Sequence, residues 1–174
     1  MDNSARNLVL TGFMGTGKST VGRLVAARLS RPFTDMDVEI ERRAGQSIPA
    51  IFATQGEAAF RQMERALCLE LAAQRGLVIA TGGGALLDPT SRRAMLQSGL
   101  VICLTATPEA LLKRLSAERN RPLLQAPDPA ARLRELLDAR AEAYATLPHH
   151  VDTSALSVQE TVEAVLSLWH RQYT

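Results

Sequence analysis

The amino-acid sequence predicts an α/β fold, in which a parallel β-sheet is covered by helices on both faces. Two observations predict this class. Short apolar runs alternate with longer segments whose apolar residues recur at helical spacing, and a glycine-rich loop directly follows the first apolar run. Strands that alternate with helices form parallel sheets, and the ligands of such sheets bind beyond the carboxyl ends of the strands. Functional residues are therefore expected where the apolar runs end.

Five short apolar runs are the predicted strands. They cover residues 7–10, 33–35, 77–80, 100–104 and 149–151. The runs are separated by segments long enough for a helix, which is the connection that parallel neighbours require.

The first predicted helices lie around the second strand. One begins at Lys18 and ends before Pro32, because proline does not continue a helix. Two short helices are predicted over residues 37–44 and 48–54, and Ser47 is a suitable N-cap for the second of them.

Apolar residues at spacings of three and four mark the remaining helices. These helices cover residues 60–71, 89–97, 108–115, 133–144 and 158–169. The last one is expected to carry Val158 and Trp169 on its apolar face. Residues 116–129 contain three prolines and interrupt the pattern, so we predict a mobile surface segment or lid there.

The composition is that of a globular chain with a sizeable core. Of the 174 residues, 46% are hydrophobic and 22% are charged, and the net charge is +2. This charge is too small by itself to predict nucleic-acid binding. We expect one domain over residues 1–174.

The sequence favours a protein of the cytoplasm. No apolar run approaches the ~18 residues of a membrane span, and no basic leader followed by an apolar core is present. Cys68 and Cys103 show neither disulfide nor metal-site spacing, so a reducing compartment is expected.

The loop after the first strand carries a phosphate-binding motif. Gly12, Gly17, Lys18 and Ser19 satisfy G-x-x-x-x-G-K-[ST], in which the glycines let backbone N–H groups surround phosphate oxygens. The helix beginning at Lys18 adds the positive end of its dipole. The motif predicts binding of a nucleoside triphosphate, with Lys18 near the β- and γ-phosphates and Ser19 on Mg²⁺. The predicted nucleotide-binding residues of the loop are Gly15, Thr16, Gly17, Lys18, Ser19 and Thr20.

Two carboxylates, Asp35 and Asp37, follow the second strand. One interpretation is a helix N-terminus decorated with acids, which the helix dipole favours. The other follows from the topology, which would bring these groups near the γ-phosphate. One carboxylate could then hold Mg²⁺ through water, and the other could accept a proton from an attacking hydroxyl.

Arg61 and Glu64 are three residues apart on a predicted helix and can therefore pair. The pair could be an ordinary surface ion pair of small energy, or Glu64 could orient Arg61 towards an anionic ligand. Phe52 and Phe60 flank this region and could be core or ligand contacts.

Three further arginines each have two possible interpretations: a solvated side chain or an anion-binding group. Arg121 lies in the predicted lid, where it could stabilise the transferring phosphate. Arg140 lies on the following helix, and Arg114 on the helix before the lid.

Gly82, Gly83 and Gly84 end the third predicted strand. Three consecutive glycines are unusual for a simple turn. The alternative is a close approach of backbone to a ligand, with bare N–H groups meeting a hydroxyl or carboxylate.

Together these segments resemble one family, the shikimate kinases. The resemblance covers essentially the whole chain. It rests on the ordered occurrence of G-F-M-G-T-G-K-S-T, D-M-D, S-I-P-A-I-F-A-T-Q-G-E-A-A-F-R-Q-M-E, A-T-G-G-G, R-P-L-L and R-A-E-A-Y. The first motif is common to many phosphate-binding proteins, whereas the combination is highly specific.

The resemblance implies an enzyme that transfers the γ-phosphate of ATP to the 3-hydroxyl of shikimate, within the pathway to chorismate and the aromatic amino acids. It implies a three-layer fold of the nucleoside-monophosphate-kinase type with a five-stranded parallel sheet. ATP would be the co-substrate and Mg²⁺ the metal. We expect a monomer, with neither nucleic acid nor membrane as a partner.

The resemblance also implies roles for single residues. Lys18 and the loop amides would hold the phosphates, with Ser19 on Mg²⁺ and Asp35 supporting the metal through water. Asp37 would bind the reacting hydroxyl and act as base.

Shikimate would be held by a second group of residues. Arg61 and Arg140 would bind its carboxylate, Glu64 would fix Arg61, and Gly82, Gly83 and Gly84 would contribute backbone contacts. The residues implied to line the ring are Ile48, Phe52 and Phe60. Arg121 would close over both substrates, and Arg114 would lie against adenine.

The sequence departs from the family pattern at one position. Relatives often carry an arginine in the loop after the last strand, where it touches adenine, but here the loop reads D-T-S-A-L-S. The details of the adenine site are therefore open. Two other functions remain as alternatives: another metabolite kinase, similar to gluconate kinase, and a kinase-like module that binds a ligand without catalysis.

Overall fold

The structure, a computed structural model, describes residues 5–116 and 127–173. Within these ranges strands alternate with helices, as predicted. The strands are β1 (Asn7–Gly12), β2 (Phe33–Asp35), β3 (Val78–Ala80), β4 (Gly99–Thr105) and β5 (His149–Asp152). The helices are α1 (Lys18–Leu29), α2 (Met36–Ala44), α3 (Ile48–Ala73), α4 (Pro89–Ser98), α5 (Pro108–Ser116), α6 (Pro129–Ala145) and α7 (Val158–Tyr173).

The strands form a parallel sheet in the order β2-β3-β1-β4-β5. Asp35 is in register with Ala80, and Ala80 with Leu10. The ends of β2, β3 and β1 therefore lie side by side. This register brings the phosphate-loop motif, the paired aspartates and the glycine run to one edge of the sheet.

Helices cover both faces of the sheet, which confirms the three-layer α/β prediction. On β1, Leu8 and Leu10 belong to one apolar core, and Val9 belongs to the other. The alternation follows from the strand geometry, since successive side chains point to opposite faces. The core with Val9 packs α2, α3 and α4, and the core with Leu8 and Leu10 packs α1 and α7.

A smaller apolar cluster links the phosphate loop to the helices on either side of residues 117–126. Phe13 of the loop packs with Leu111 and Leu115 of α5 and with Leu133 of α6. All four side chains are buried, so α5 and α6 are anchored directly to the loop.

Polar side chains cap several helices at their N-termini. The Ser47 hydroxyl accepts a hydrogen bond from the Ala50 N–H at 3.3 Å, which confirms the predicted N-cap. Asp88 and Asp128 cap α4 and α6 in the same way, and each is followed by a proline at the first helical position.

Helix α3 differs from the prediction of two separate helices. The segments predicted over 48–54 and 60–71 are joined, and only Gly56 interrupts them, with φ 83° and ψ 168°. This conformation is essentially restricted to glycine. The chain therefore bends sharply at Gly56 but resumes the helix at once.

The position of Val158 differs from the prediction. Val158 begins α7 but is 46% exposed, so the prediction that it lies on the apolar face was wrong. The first turn of α7 extends beyond the core that buries Trp169.

Of the predicted lid, Ser116 ends α5 and Pro129 begins α6. Residues 117–126, including Arg121, lie outside the described residues.

Among the helices that are described, none combines the length and the apolar character needed to cross a bilayer.

Candidate active site

The phosphate loop between β1 and α1 has the backbone geometry that its glycines allow. Gly12, Gly15 and Gly17 have φ angles of 134°, 82° and 96°, which side chains disfavour. A Cβ on Gly12 would also collide with the Leu104 carbonyl on β4. Thr16 is buried, and its hydroxyl donates to the Phe13 carbonyl at 2.7 Å. The loop is therefore shaped partly by its own side chains.

The Lys18 ammonium lies inside the curve of this loop. It donates hydrogen bonds to the Gly12 and Phe13 carbonyls at 2.8 and 2.9 Å. Burial lowers the pKa of Lys18 to about 8, against the opposing effect of the Asp37 and Asp35 carboxylates. A bound anion would raise this pKa and stabilise the charged form, so the position suits a phosphate.

Both carboxylate oxygens of Asp35 accept hydrogen bonds. Its Oδ1 accepts hydrogen bonds from the backbone N–H groups of Asp37 and Val38, at 3.1 and 3.4 Å, and so caps α2. Its Oδ2 accepts a hydrogen bond from the Ser19 hydroxyl. The helix-cap interpretation is therefore correct, and it leaves a hydroxyl and a carboxylate together beside the phosphate loop.

This pair of oxygen ligands fits a hard cation such as Mg²⁺, which takes few protein ligands and keeps several waters. Within the described residues there is no cluster of three or more His, Cys, Asp or Glu side chains that could hold a metal.

Arg61 and Glu64 form the predicted pair on α3. Arg61 Nη1 donates to Glu64 at 2.8 Å, and a second, more exposed carboxylate, Glu57, accepts from the same guanidinium at 3.2 Å. Burial raises the pKa of Glu64, and the Arg61 hydrogen bond opposes this rise. The interpretation of Arg61 and Glu64 as an ordinary surface ion pair is wrong, because Glu64 is buried.

Aromatic rings line the same part of the site. Phe52 precedes the Gly56 bend in the chain and Phe60 follows it, and their ring centroids lie 4.9 Å apart. The guanidinium of Arg61 lies 5.3 Å from the Phe60 ring centroid. Phe60 is buried whereas Phe52 is partly exposed, so the pair reaches from the core to the cavity surface.

The three glycines after β3 pack directly against the charged side chains of the site. A Cβ on Gly82 would lie 2.6 Å from Glu64 Oε1 and 2.8 Å from Asp37 Oδ1. A Cβ on Gly84 would lie 2.7 Å from Arg61 Nη1. None of these three described glycines has a left-handed φ. The glycine run is therefore required for close approach, and the groups that approach include the protein's own carboxylates and guanidinium groups.

Gly83 has two partners on α6. Its carbonyl accepts a hydrogen bond from the Tyr144 hydroxyl at 2.5 Å and a longer one from Arg140 at 3.4 Å. The Arg140 guanidinium also lies 4.8 Å from the centroid of the Phe13 ring. Sequence reasoning identified Arg140 but missed Tyr144 as part of the site. The four-residue spacing of R-A-E-A-Y, which places both on one helix face, was the available signal.

Arg114 is not a solvent-facing residue. Its guanidinium donates to the Gly15 carbonyl at 3.2 Å, to the Thr153 hydroxyl at 2.9 Å and to the Thr153 carbonyl. It therefore joins the phosphate loop to the loop after β5, in which the sequence lacks an arginine.

A single cavity of about 460 Å³ collects these groups. Apart from Thr16, every predicted site residue within the described ranges lines it. Met14 and Thr81 also line it, although the sequence did not single them out. The phosphate loop, the two aspartates, the aromatic pair and the three arginines Arg61, Arg114 and Arg140 therefore share one cavity.

Comparison with known proteins agrees with this geometry. The shikimate kinase family model matches residues 14–169. A shikimate kinase of Burkholderia pseudomallei (strain 1710b) is 47% identical over 161 residues, which cover 92% of this chain and 88% of that protein.

Solved structures give the same result. The chain is similar to the shikimate kinase from Acinetobacter baumannii in complex with shikimate, with a TM-score of 0.90 and 38% identity over 98% of this chain and 96% of that one. A gluconokinase from Sinorhizobium meliloti has a TM-score of 0.64 at 20% identity, with 98% of this chain and 94% of that one covered, and so shares the fold alone. The family match spans nearly the whole chain, and the predicted motifs within the described residues contribute to one cavity. The chain therefore belongs to the shikimate kinase family.

Proposed function

We propose that this chain transfers the γ-phosphate of ATP to the 3-hydroxyl of shikimate, producing shikimate 3-phosphate and ADP on the route to chorismate and the aromatic amino acids. One observation carries the proposal: the phosphate loop, Asp37 and two arginines line the same cavity. A phosphoryl donor and a small carboxylate-bearing acceptor fit such an arrangement. Phosphoryl transfer depends mainly on positioning and charge stabilisation.

The ATP end is formed by the phosphate loop. The backbone amides from Gly15 to Thr20 and the Lys18 ammonium would surround the phosphates. Lys18 would exchange its two carbonyl partners for phosphate oxygens. Arg114 would lie near adenine, held by Gly15 and Thr153. The position of Arg121 lies outside the described residues, and its role as a cation on the transferring phosphate is proposed from the sequence motif.

Ser19 and Asp35 would hold Mg²⁺, Ser19 directly and Asp35 through water. When bound, the ion supplies positive charge that neutralises the phosphate oxygens and lowers their repulsion of a nucleophile. The hydrogen bond between Ser19 and Asp35 supports this assignment, because it already places the two oxygens together.

The acceptor end suits shikimate, a polyol with one carboxylate. Arg61 and Arg140 would form charge-assisted hydrogen bonds with that carboxylate. Ile48 and the two phenylalanines would contact the ring, and Gly82, Gly83 and Gly84 would offer backbone groups to the substrate.

Asp37 would accept the proton of the reacting hydroxyl. In this step the 3-oxygen forms a bond to the γ-phosphorus, and the bond from that phosphorus to the β,γ-bridging oxygen breaks. ADP leaves with the bond's electron pair, and the proton of the hydroxyl passes to Asp37. The cavity would also restrict water, which is the competing acceptor.

We further propose that the chain acts as a single-domain monomer in the cytoplasm. Both cysteines are free and buried, which fits a reducing compartment. Size-exclusion chromatography with light scattering tests the oligomeric state. Localisation of a tagged full-length chain tests the compartment.

A coupled assay of ADP release tests the activity, with shikimate, quinate and gluconate compared in parallel, with and without Mg²⁺. We expect Mg²⁺-dependent turnover with shikimate at least about 100-fold above gluconate in kcat/KM. A difference of this size corresponds to ~2.7 kcal/mol of transition-state binding. Equal or faster turnover of gluconate would contradict the proposal. Shikimate binding by titration calorimetry without ADP release would favour a non-catalytic module.

A further inference from the structure

The Tyr144 hydroxyl makes the shorter of two hydrogen bonds to the carbonyl of Gly83. Tyr144 lies behind the cavity and is buried, whereas Gly83 and Arg140 line the cavity. The Tyr144 bond to the carbonyl is 2.5 Å long and the Arg140 bond is 3.4 Å long. Because Tyr144 and Arg140 are four residues apart on α6, both reach the oxygen from the same helix face.

The Arg140 bond, at 3.4 Å, is long for a guanidinium donor. A guanidinium ordinarily makes the stronger hydrogen bond, with a donor–acceptor distance of about 2.7–2.9 Å when the bond is charge-assisted. Here the neutral phenol occupies the carbonyl, and the cation remains at the longer distance. The carbonyl is therefore satisfied without engaging Arg140 closely.

The phenol keeps its proton and can act as a donor at neutral pH. Burial raises the pKa of Tyr144 to about 12, while the neighbouring Arg140 opposes this rise. Arg140 has five N–H donors, and its bond to the Gly83 carbonyl is long, so donors remain available to the cavity.

We propose that Tyr144 is a positioning residue for acceptor binding: by occupying the Gly83 carbonyl, its hydroxyl keeps the Arg140 guanidinium available for the substrate carboxylate. This inference rests on the proposed function. Tyr144 does not touch the reacting atoms. Without its hydroxyl, Arg140 would turn towards the vacated carbonyl and away from the substrate.

Tyr144→Phe tests this role, because the ring that packs in the core is retained. We expect the KM for shikimate to rise about three- to tenfold, the range that corresponds to losing one hydrogen bond. The kcat and the KM for ATP should stay within about twofold. Tyr173→Phe is the matched control, since it removes a tyrosine hydroxyl from α7, where the ring packs on Trp169, and it should change neither KM.

A loss of stability does not obscure this result. Partial unfolding lowers the concentration of active enzyme and hence the maximal rate, but it changes neither KM. An unchanged shikimate KM in Tyr144→Phe, or an equal rise in both KM values, would overturn the role of Tyr144.

A second measurement asks whether Tyr144 acts through Arg140. Tyr144→Phe is compared in the wild-type and Arg140→Ala backgrounds, using kcat/KM for shikimate normalised to the folded fraction. We expect the effect to fall below about twofold when Arg140 is absent. An effect of the same size in both backgrounds would show that Tyr144 acts independently of Arg140.

The experiments distinguish a failure of the proposed function from a failure of the proposed Tyr144 role. If the wild-type chain does not phosphorylate shikimate, the proposed function fails and the Tyr144 role fails with it. If the wild type is active and Tyr144→Phe has the wild-type KM, only the Tyr144 role fails.

Discussion

The guanidinium of Arg61 donates a 2.8 Å hydrogen bond to the carboxylate of Glu64, and the two side chains differ greatly in exposure, at 39% for Arg61 and 5% for Glu64. The buried Glu64 carboxylate thus holds the Arg61 guanidinium from the protein interior, while the exposed part of the guanidinium lines the cavity. Because Arg61 has five N–H donors, this pairing leaves others available for an anionic ligand.

Arg61→Ala should weaken shikimate binding by about 2–4 kcal/mol, because a charge-assisted bond to the substrate carboxylate is lost. Titration calorimetry with shikimate and with an ATP analogue measures the effect. Arg42→Ala is a suitable control, since Arg42 is 68% exposed and pairs with a neighbouring glutamate on α2. Loss confined to nucleotide affinity would contradict the assignment of Arg61.

The same substitution should make stability depend more strongly on pH. Burial raises the pKa of Glu64 above 4.5, with Arg61 opposing this rise. The stability associated with protonated Glu64 is therefore fully present below the unfolded pKa, and it is lost as pH rises through the folded pKa. Removing Arg61 raises the folded pKa further.

We therefore expect Arg61→Ala to lower the free energy of unfolding more at pH 8 than at pH 5, as measured by urea denaturation without ligands. The double variant Arg61→Ala, Glu64→Gln removes the titrating group and should lose this difference. The same destabilisation by Arg61→Ala at both pH values would show that Glu64 does not titrate as described.

Asp37→Asn should reduce kcat at least about 100-fold while changing the KM for ATP little, since a general base contributes roughly 10²–10⁴ to the rate. Asp37 lines the same cavity as the phosphate loop and the arginines. Steady-state kinetics with both substrates check the result. Asp138→Asn, on the exposed face of α6, should behave like the wild type. An unchanged kcat in Asp37→Asn would remove the proposed role.

Gly83→Ala should raise the KM for shikimate much more than the KM for ATP. The added Cβ would lie 3.1 Å from Arg140 Nη1, so the guanidinium must move. Gly76→Ala provides a control at the opposite end of β3. Gly76 has a φ of 74°, so its substitution should lower stability but leave both KM values unchanged. Equal effects of Gly83→Ala on the two KM values would indicate that the glycine run is a simple turn.

Gly56→Ala should reduce the free energy of unfolding by about 1–3 kcal/mol, the cost of a residue held in a sparsely populated backbone region. Apart from its chain neighbours, no heavy atom of the described residues lies within 4 Å of the added Cβ, so steric collision does not explain the loss. Urea denaturation measures the loss. We also expect a higher KM for shikimate, because the bend sets the relation of Phe52 to Phe60. A variant as stable as the wild type would show that Gly56 is not strained.

Much of the fold and of the site was predictable from local pattern. The strands could be located because apolar runs of three to five residues are bounded by glycine, proline or charged residues, and the strand boundaries differ from the prediction by at most two residues. Ser47 could be assigned as a cap because capping is decided within four residues. The Gly56 bend was missed, since a glycine that interrupts a helix without ending it leaves the same pattern as a loop between two helices.

The sequence by itself determined the phosphate loop, since its function depends on consecutive backbone groups and on the side chains of adjacent residues. Its motifs also indicated the acceptor class through the combination of paired aspartates, arginines and glycines. Only the tertiary structure decided how these groups meet. The contacts of Gly82 with Glu64 and Asp37, of Arg114 with Thr153, and of Tyr144 with Gly83 join residues 18 to 61 positions apart. Such distances are set by sheet register and helix packing rather than by local spacing, and for that reason no local pattern contains them.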